Sequence, residues 1–322
     1  MKNRNLIPDE LQFAIDLMAS CAVITSNVQH KHIVSQDKAD HSPVTIADYA
    51  VQAYVAQALL RGYPDDELVG EEASHLLNQD EALLNAVSDQ VKVILPHASP
   101  DLVCDWIDHG QGQPRGRYWV LDPVDGTKGF LRHMQYATAL ALVEDGEVML
   151  GVLGCPNLTF GSHTGVVAYA YHGQGAWWHP YDDPNNPQPM RVSEIDDLSQ
   201  FRILRSFEDS HTDSSRIDAF ATMAGVTAEP IRMDSQAKYF LLAGGQAELS
   251  LRLLAPERAD YREYIWDQAP GYRVVLEAGG TITDTNGKPL DFTTGRRLTN
   301  NSGIFATNGR IHEEALEVLL HS

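Results

Sequence analysis

YWVLDPVDGT, residues 118–127, is the stretch on which the reading of this chain turns. Tyr118 to Leu121 is rich in aromatic and β-branched residues and reads as a strand. It runs straight into Asp122-Pro123-Val124-Asp125-Gly126-Thr127, where proline and glycine require a turn. Two carboxylates three residues apart therefore sit at a strand end, and Gly126 lets the backbone come close to a ligand. Aspartate and backbone carbonyl oxygens are the ligands magnesium prefers, and a pair of such ions can activate water on one side of a phosphorus while stabilising the leaving oxygen on the other. Amides near Gly126 and Thr127 can hold phosphate oxygens. Taken alone, DPVDG reads better as an Asx-type turn whose aspartates bond only to nearby backbone. Other acidic sites shift the balance: Gly70-Glu71-Glu72 after a short strand, Asp40 before Ser42-Pro43-Val44-Thr45, and Trp266-Asp267 at the entry to a helix. Carboxylates on several strand and helix ends can converge on one point.

Outward from that turn the pattern alternates. Pro8 to about Ser26 has helical spacing at Leu11, Ala14, Leu17, Met18 and Cys21, with Pro8 suited to the first turn. A second helix is predicted over 45–61, with Thr45 as N-cap, Asp48 three residues later, and Gly62 and Pro64 as stop signals. A short strand covers 67–69, and 81–95 is helical again. Residues 136–143 and 148–153 flank Asp145-Gly146, the strongest short hairpin signal, and 166–171 with 176–178 form a second hairpin. Pro270 belongs in a first helical turn, so a helix should start near Asp267 and run to Gly279-Gly280, with its amide-rich N-terminus facing the phosphate. The loop YDDPNNPQP, 181–189, suggests a division into an N-terminal lobe, 1–175, and a C-terminal lobe, 176–322, in a layered αβ fold.

The bulk numbers narrow the function classes. A formal charge of −20 repels a nucleic-acid backbone or an anionic membrane, so neither a polynucleotide nor a membrane is expected as partner. A small anionic substrate remains compatible, because divalent cations reverse the potential inside a carboxylate pocket. Cys21, Cys104 and Cys155 are isolated and indicate buried thiols rather than a zinc site or a disulfide framework. The start, MKNRNLIPDELQ, lacks the apolar core of a secretory signal, and a cytoplasmic location is expected.

DPVDGT (122–127), GEE (70–72) and WDQAPG (266–271) resemble, in order and spacing, the metal-binding signatures of the inositol-monophosphatase superfamily. KADHSPVTIADYA (38–50), LDPVDGTKGFLR (121–132), MDSQAKY (233–239) and YREYIWDQAPG (261–271) resemble its bisphosphate-nucleotidase branch, the salt-tolerance phosphatases, over nearly the whole chain. The resemblance implies an α+β, αβαβα layered sugar-phosphatase fold in two lobes. It implies two or three Mg²⁺ ions, with Glu71, Asp122 and the Val124 carbonyl on one and Asp122, Asp125 and Asp267 on the second. Asp40 paired with Thr127 would orient and deprotonate the attacking water, Gly126 and Thr127 would hold phosphate, and His211, Ser235, Lys238 and Arg252 would contact a small nucleotide. The implied substrates are 3'-phosphoadenosine 5'-phosphate (PAP) and its sulfated relative PAPS, with lithium inhibition and a link to sulfur metabolism. An inositol or sugar phosphate is the alternative substrate, and a non-catalytic nucleotide- or metal-binding regulator is the reading from a different class. His133-Met134, where the branch more often has glycine and an acidic residue, and Tyr264, where it has lysine, depart from the pattern.

Overall fold

The computed structural model describes residues 7–30, 35–37, 43–207, 213–255 and 258–322. Helix α1 (Asp9–His30) buries Leu11, Ala14, Leu17, Met18, Cys21, Ile24 and Val28, the i, i+3, i+4 stripe of a core helix. It is also, among the described residues, the one helix long and apolar enough by composition to cross a membrane. The hairpin β1 (Ser35–Asp37) and β2 (Pro43–Thr45) leads into α2 (Ile46–Gly62). Thr45 and Asp48 form the capping box expected from their spacing. β3 (Glu67–Gly70), α3 (Glu81–Ile94) and α4 (Pro100–His109) follow; α4, with Ser99 as N-cap and Pro100 in its first turn, was not anticipated.

β4 (Arg117–Asp125) and the short α5 (Thr127–Leu131) carry the DPVDGT turn. β5 (Ala137–Glu144), β6 (Glu147–Phe160), β7 (His163–Tyr171), β8 (Ala176–Pro180) and β9 (Gln188–Met190) then meander antiparallel, and with β3 parallel to β4 they make a seven-stranded sheet in sequence order. Asp145 and Gly146 both have positive φ at the β5–β6 turn, as a type I′ hairpin requires. Because β8 and β9 remain in this sheet, the change of sheet falls between Met190 and Ile203, later than the division expected at 175/176. A hydrogen-bonded meander carries more positional information than the composition of the loop inside it.

The second sheet contains β10 (Ile203–Arg205), β11 (Ile231–Arg232), β12 (Leu249–Arg252), β13 (Thr281–Thr283) and β14 (Ile304–Thr307), in the order β11-β10-β12-β14-β13. Its helices are α6 (Ser214–Met223), α7 (Ala237–Ala243), α8 (Ala269–Glu277) and α9 (His312–His321). The period-2 alternation of the strands sorts the core into layers. Trp119, Leu121, Leu140 and Leu142 pack with α1 and α2. Tyr118, Val120, Ala139 and Ala141 face α7 and α8, which also touch Leu204, Ile304 and Ala306 of the second sheet. Ile203, Leu249, Leu251 and Phe305 face α6 and α9. The result is the αβαβα sandwich, with α7 and α8 as its middle layer. Gly151 on β6 makes the close approach of α8 possible, since a Cβ there would stand 2.1 Å from the Pro270 carbonyl oxygen. Arg273 of α8 ties the helix to the same hairpin through the Val148 carbonyl at 2.5 Å and an ion pair with Glu147.

Candidate metal and phosphate site

The turn after β4 is shaped by a break in pairing. The register between β4 and β5 shifts between Asp122 and Asp125, and a bulge of this kind re-aims side chains at a strand end. The Thr138 hydroxyl donates to the Pro123 carbonyl at 2.9 Å and pins the bulge. Gly126 has φ 85°, the left-handed conformation that glycine adopts at no steric cost, and caps α5. The Thr127 hydroxyl lies 3.1 Å from the Val124 carbonyl oxygen and 3.4 Å from Asp48 Oδ1. Asp48 thus works twice: its other oxygen accepts from the Thr45 amide at 2.8 Å and the Thr45 hydroxyl at 2.5 Å to start α2.

Asp122 is 2% exposed, and its Oδ1 has no hydrogen-bond partner. A buried carboxylate oxygen in that state is costly unless a cation or proton meets it. Burial first, then the charges of Glu71, Asp125, Asp267 and Asp48, push the Asp122 carboxyl well above the usual carboxylate range. Asp125 is raised to about 6 by burial, with the Gln236 amide and Lys238 acting in the opposite direction. Asp267 is also raised well above its ordinary value, by burial and then by Asp125 and Glu263. These mutual influences put Glu71, Asp122, Asp125 and Asp267, drawn from the residue after β3, from β4 and from the segment before α8, within electrostatic reach of one another. Among the described residues no three side chains are drawn up into a finished coordination shell. The fit to hard divalent cations rests instead on the donor chemistry, all oxygen, and on the orphaned Asp122 oxygen.

Two glutamines and an arginine hold the acidic segments, and none was singled out from sequence. Gln52, buried on α2 one turn beyond Asp48, donates to the Glu72 and Ile107 carbonyls at 2.6 and 2.8 Å and accepts from the Glu72 amide at 2.9 Å. It fixes the backbone beside Glu71. Arg296 donates to the Gly70 carbonyl at 2.5 Å while its guanidinium lies 4.8 Å from the Trp266 ring centre, so it bridges the GEE and WD segments. Gln236 bonds to both Asp125 and the residues around Asp267. In Asp48 and Gln52 the signal was present as polar residues at positions that the helix pattern buries. The contacts across the chain were not.

Beside these carboxylates is a cavity of about 110 Å³ lined by Asp125, Ser235, Gln236, Lys238, Arg252 and Asp267 among others. The structure therefore gathers Ser235, Lys238 and Arg252 around one cavity with two of the acidic residues, Asp125 and Asp267. Ser235 has φ 67°, a strained conformation for a residue with a side chain, at the turn before α7. Removal from water, then Arg252, lowers the Lys238 ammonium pKa, against Asp125, Asp234 and Glu263. Arg252 pairs with the buried Glu263 at 2.7 Å. Asp40 and His211 lie outside the described residues.

Both departures have a structural setting. His133 has φ 56°, the left-handed region in which a glycine is the expected occupant. Tyr264 stacks on Trp266 at 4.3 Å between ring centres and 13° between planes, with the Arg297 guanidinium 3.6 Å from its own ring centre. An aromatic in contact with the Trp266 ring and the Arg297 guanidinium stands where the pattern has lysine.

A family profile described as the inositol monophosphatase family matches residues 9–321. The chain is 38% identical over 91% of its length to the 3'(2'),5'-bisphosphate nucleotidase of Emericella nidulans, covering 91% of that protein. It is 40% identical to the 3'(2'),5'-bisphosphate nucleotidase of Oryza sativa, over 88% of this chain and 85% of that one. The 3',5'-bisphosphate nucleotidase 2 of Arabidopsis thaliana is 37% identical over 97% and 96%. Among solved structures, an IMPase of Thermotoga maritima superposes with a TM-score of 0.69 at 22% identity, over 97% of both chains, which is likeness of fold.

Proposed function

We propose, from the premise that this chain belongs to the inositol monophosphatase family, that it is a magnesium-dependent phosphatase removing the 3'-phosphate of PAP, and of PAPS, to give AMP or adenosine 5'-phosphosulfate and inorganic phosphate. The observation that carries this reading is the buried Asp122 carboxylate with an unpartnered oxygen, set among Glu71, Asp125 and Asp267 and beside a cavity that also presents Lys238 and Arg252. Its carboxylates suit cations, and its basic groups suit a second phosphate on the same molecule. A monophosphate needs only the first.

Glu71, Asp122, Asp125, Asp267 and the Val124 carbonyl are the groups that would hold the magnesium ions. When bound, magnesium neutralises phosphate charge, lowers the pKa of a water and steadies the leaving oxygen. Thr127 orients the attacking water through its hydroxyl, itself held near Val124 O and Asp48 Oδ1. Asp40, which lies outside the described residues, keeps the proton-accepting role in a pair with Thr127, while Asp48 Oδ1, 3.4 Å from the Thr127 hydroxyl, helps to hold that hydroxyl in place. The water oxygen bonds to phosphorus in line with the O3'–P bond as that bond breaks, so the 3'-oxygen leaves with a proton from solvent and the water proton goes to the Asp40–Thr127 pair. No covalent enzyme intermediate forms. Amides at Gly126 and Thr127 cradle the transferring phosphate, while Ser235, Lys238 and Arg252 hold the 5' end. Catalysis is then positioning and charge neutralisation.

A magnesium-dependent comparison of turnover on PAP, PAPS and inositol 1-phosphate tests the reading. We expect the bisphosphate nucleotides to be preferred. Faster cleavage of inositol 1-phosphate would refute the substrate assignment, and absence of hydrolysis on all three would leave a binding protein. Lithium at millimolar concentration should inhibit the reaction.

A further inference from the structure

The two cation carboxylates Asp125 and Asp267 and the start of α7 are joined through one residue, Gln236. Gln236 is 2% exposed and sits between Ser235 and Ala237 at the start of α7, two residues before Lys238. Its backbone amide donates to Asp125 Oδ2 at 2.5 Å. Its side-chain Nε2 donates to the Trp266 carbonyl at 2.9 Å, and its Oε1 accepts from the Gly271 amide at 2.9 Å. These last two contacts bracket Asp267, which follows Trp266 directly. The Gly271 amide belongs to the first turn of α8, where helix amides have no partner of their own, and Gln236 supplies it.

We propose that Gln236 is a positioning residue that locks Asp125 and Asp267 into a single cation-binding frame and couples that frame to the nucleotide-binding start of α7. The proposal rests on the reading of those two aspartates as metal ligands. A hydrogen bond to one oxygen of Asp125 sets the direction of the other, and a fork that grips the backbone on both sides of Asp267 sets where that carboxylate points. Such outer-shell bonds typically govern metal affinity by ten- to a hundredfold. Ser235, directly before the amide that reaches Asp125, takes φ 67°.

Mn²⁺, which takes similar oxygen ligands and is visible by electron paramagnetic resonance, serves as the probe. Full-length wild type and Gln236→Met, which keeps the side-chain length and removes the fork, are titrated with Mn²⁺ without substrate, and both are melted without metal. The expected result is Mn²⁺ binding weakened about ten- to a hundredfold in a folded variant. A lowered melting temperature with unchanged Mn²⁺ affinity would mean that Gln236 only packs, and would overturn the proposal. If the variant does not fold, amide hydrogen exchange of the wild type decides: Gln236 and Gly271 amides should exchange several-fold more slowly with Mg²⁺ than without it, and equal rates would overturn the inference. Wild type that binds no Mn²⁺ would instead sink the metal reading itself.

Discussion

Two aspartate-rich turns of this chain look alike on paper, DPVDGT at 122–127 and DTNGKPLD at 284–291, and the fold treats them in opposite ways. Asp284 is buried, but its Oδ1 accepts from the Asn286 and Lys288 amides at 2.9 Å each and its Oδ2 from the Ser302 amide at 3.2 Å. Asp291 accepts from the Thr293 amide and hydroxyl and from the Asn300 side chain. Those carboxylates are saturated by their own surroundings and act as turn-formers. Asp122 is as buried as Asp284, yet one of its oxygens has no partner and four acidic neighbours raise its pKa. An aspartate in a turn is structural when local N–H groups use up its oxygens, and is available for chemistry when they do not.

The largest test of that contrast is Asp122→Asn. Its kcat/KM on PAP should fall by about 10³-fold or more, the scale of losing a metal-held charge in the transition state. Its metal-free melting temperature should stay level or rise, because a buried like-charge repulsion is removed. A variant that retains turnover would erase the distinction between the turns. Asp284→Ala should do the reverse, costing about 2 kcal/mol of stability in denaturant unfolding through its stranded amides, with kcat within twofold of the parent. A large loss of turnover at unchanged stability would contradict the structural role.

The two turns should also differ in sign with pH. Asp291 is held below the usual carboxylate range by its bonds to Thr293 and Asn300. Its contribution is therefore present above the unfolded value of about 3.9 and lost as pH falls through its lower folded pKa. Asp125 is raised to about 6, mainly by burial. Its contribution is full below about 3.9 and lost as pH rises through about 6. Metal-free protein should weaken across that upper window in denaturant titrations, Mg²⁺ should restore the loss, and Asp125→Asn should make it smaller, with the raised Asp122 and Asp267 keeping the remainder. A flat profile without metal would remove the electrostatic half of the contrast. The smallest effect concerns a turn that is strained rather than charged: His133→Gly should stabilise the protein by about 0.5–1 kcal/mol by relieving the positive φ. An unchanged midpoint would show that other contacts offset the strain.

Much of this was legible from the chain alone, wherever local chemistry determines local structure. The β4 run into DPVDGT, the Thr45–Asp48 capping box, the Asp145-Gly146 hairpin and Pro270 in the first turn of α8 all involve neighbours a few residues apart, and their sequence signals agree with the structure. The acidic segments themselves could be picked out because turns at strand ends expose carboxylates in a recognisable pattern. Their convergence is a property of tertiary structure: Glu71, Asp122 and Asp267 come together only because β3 pairs with β4 and α8 packs on β6 at Gly151. The same holds for Asp48 facing Thr127, for Gln52 and Arg296 holding the GEE backbone, and for Gln236 joining two distant segments. Hydrogen bonds between residues dozens or hundreds of positions apart leave no periodic trace in a single sequence, so packing alone decided which of its many aspartates were left without partners.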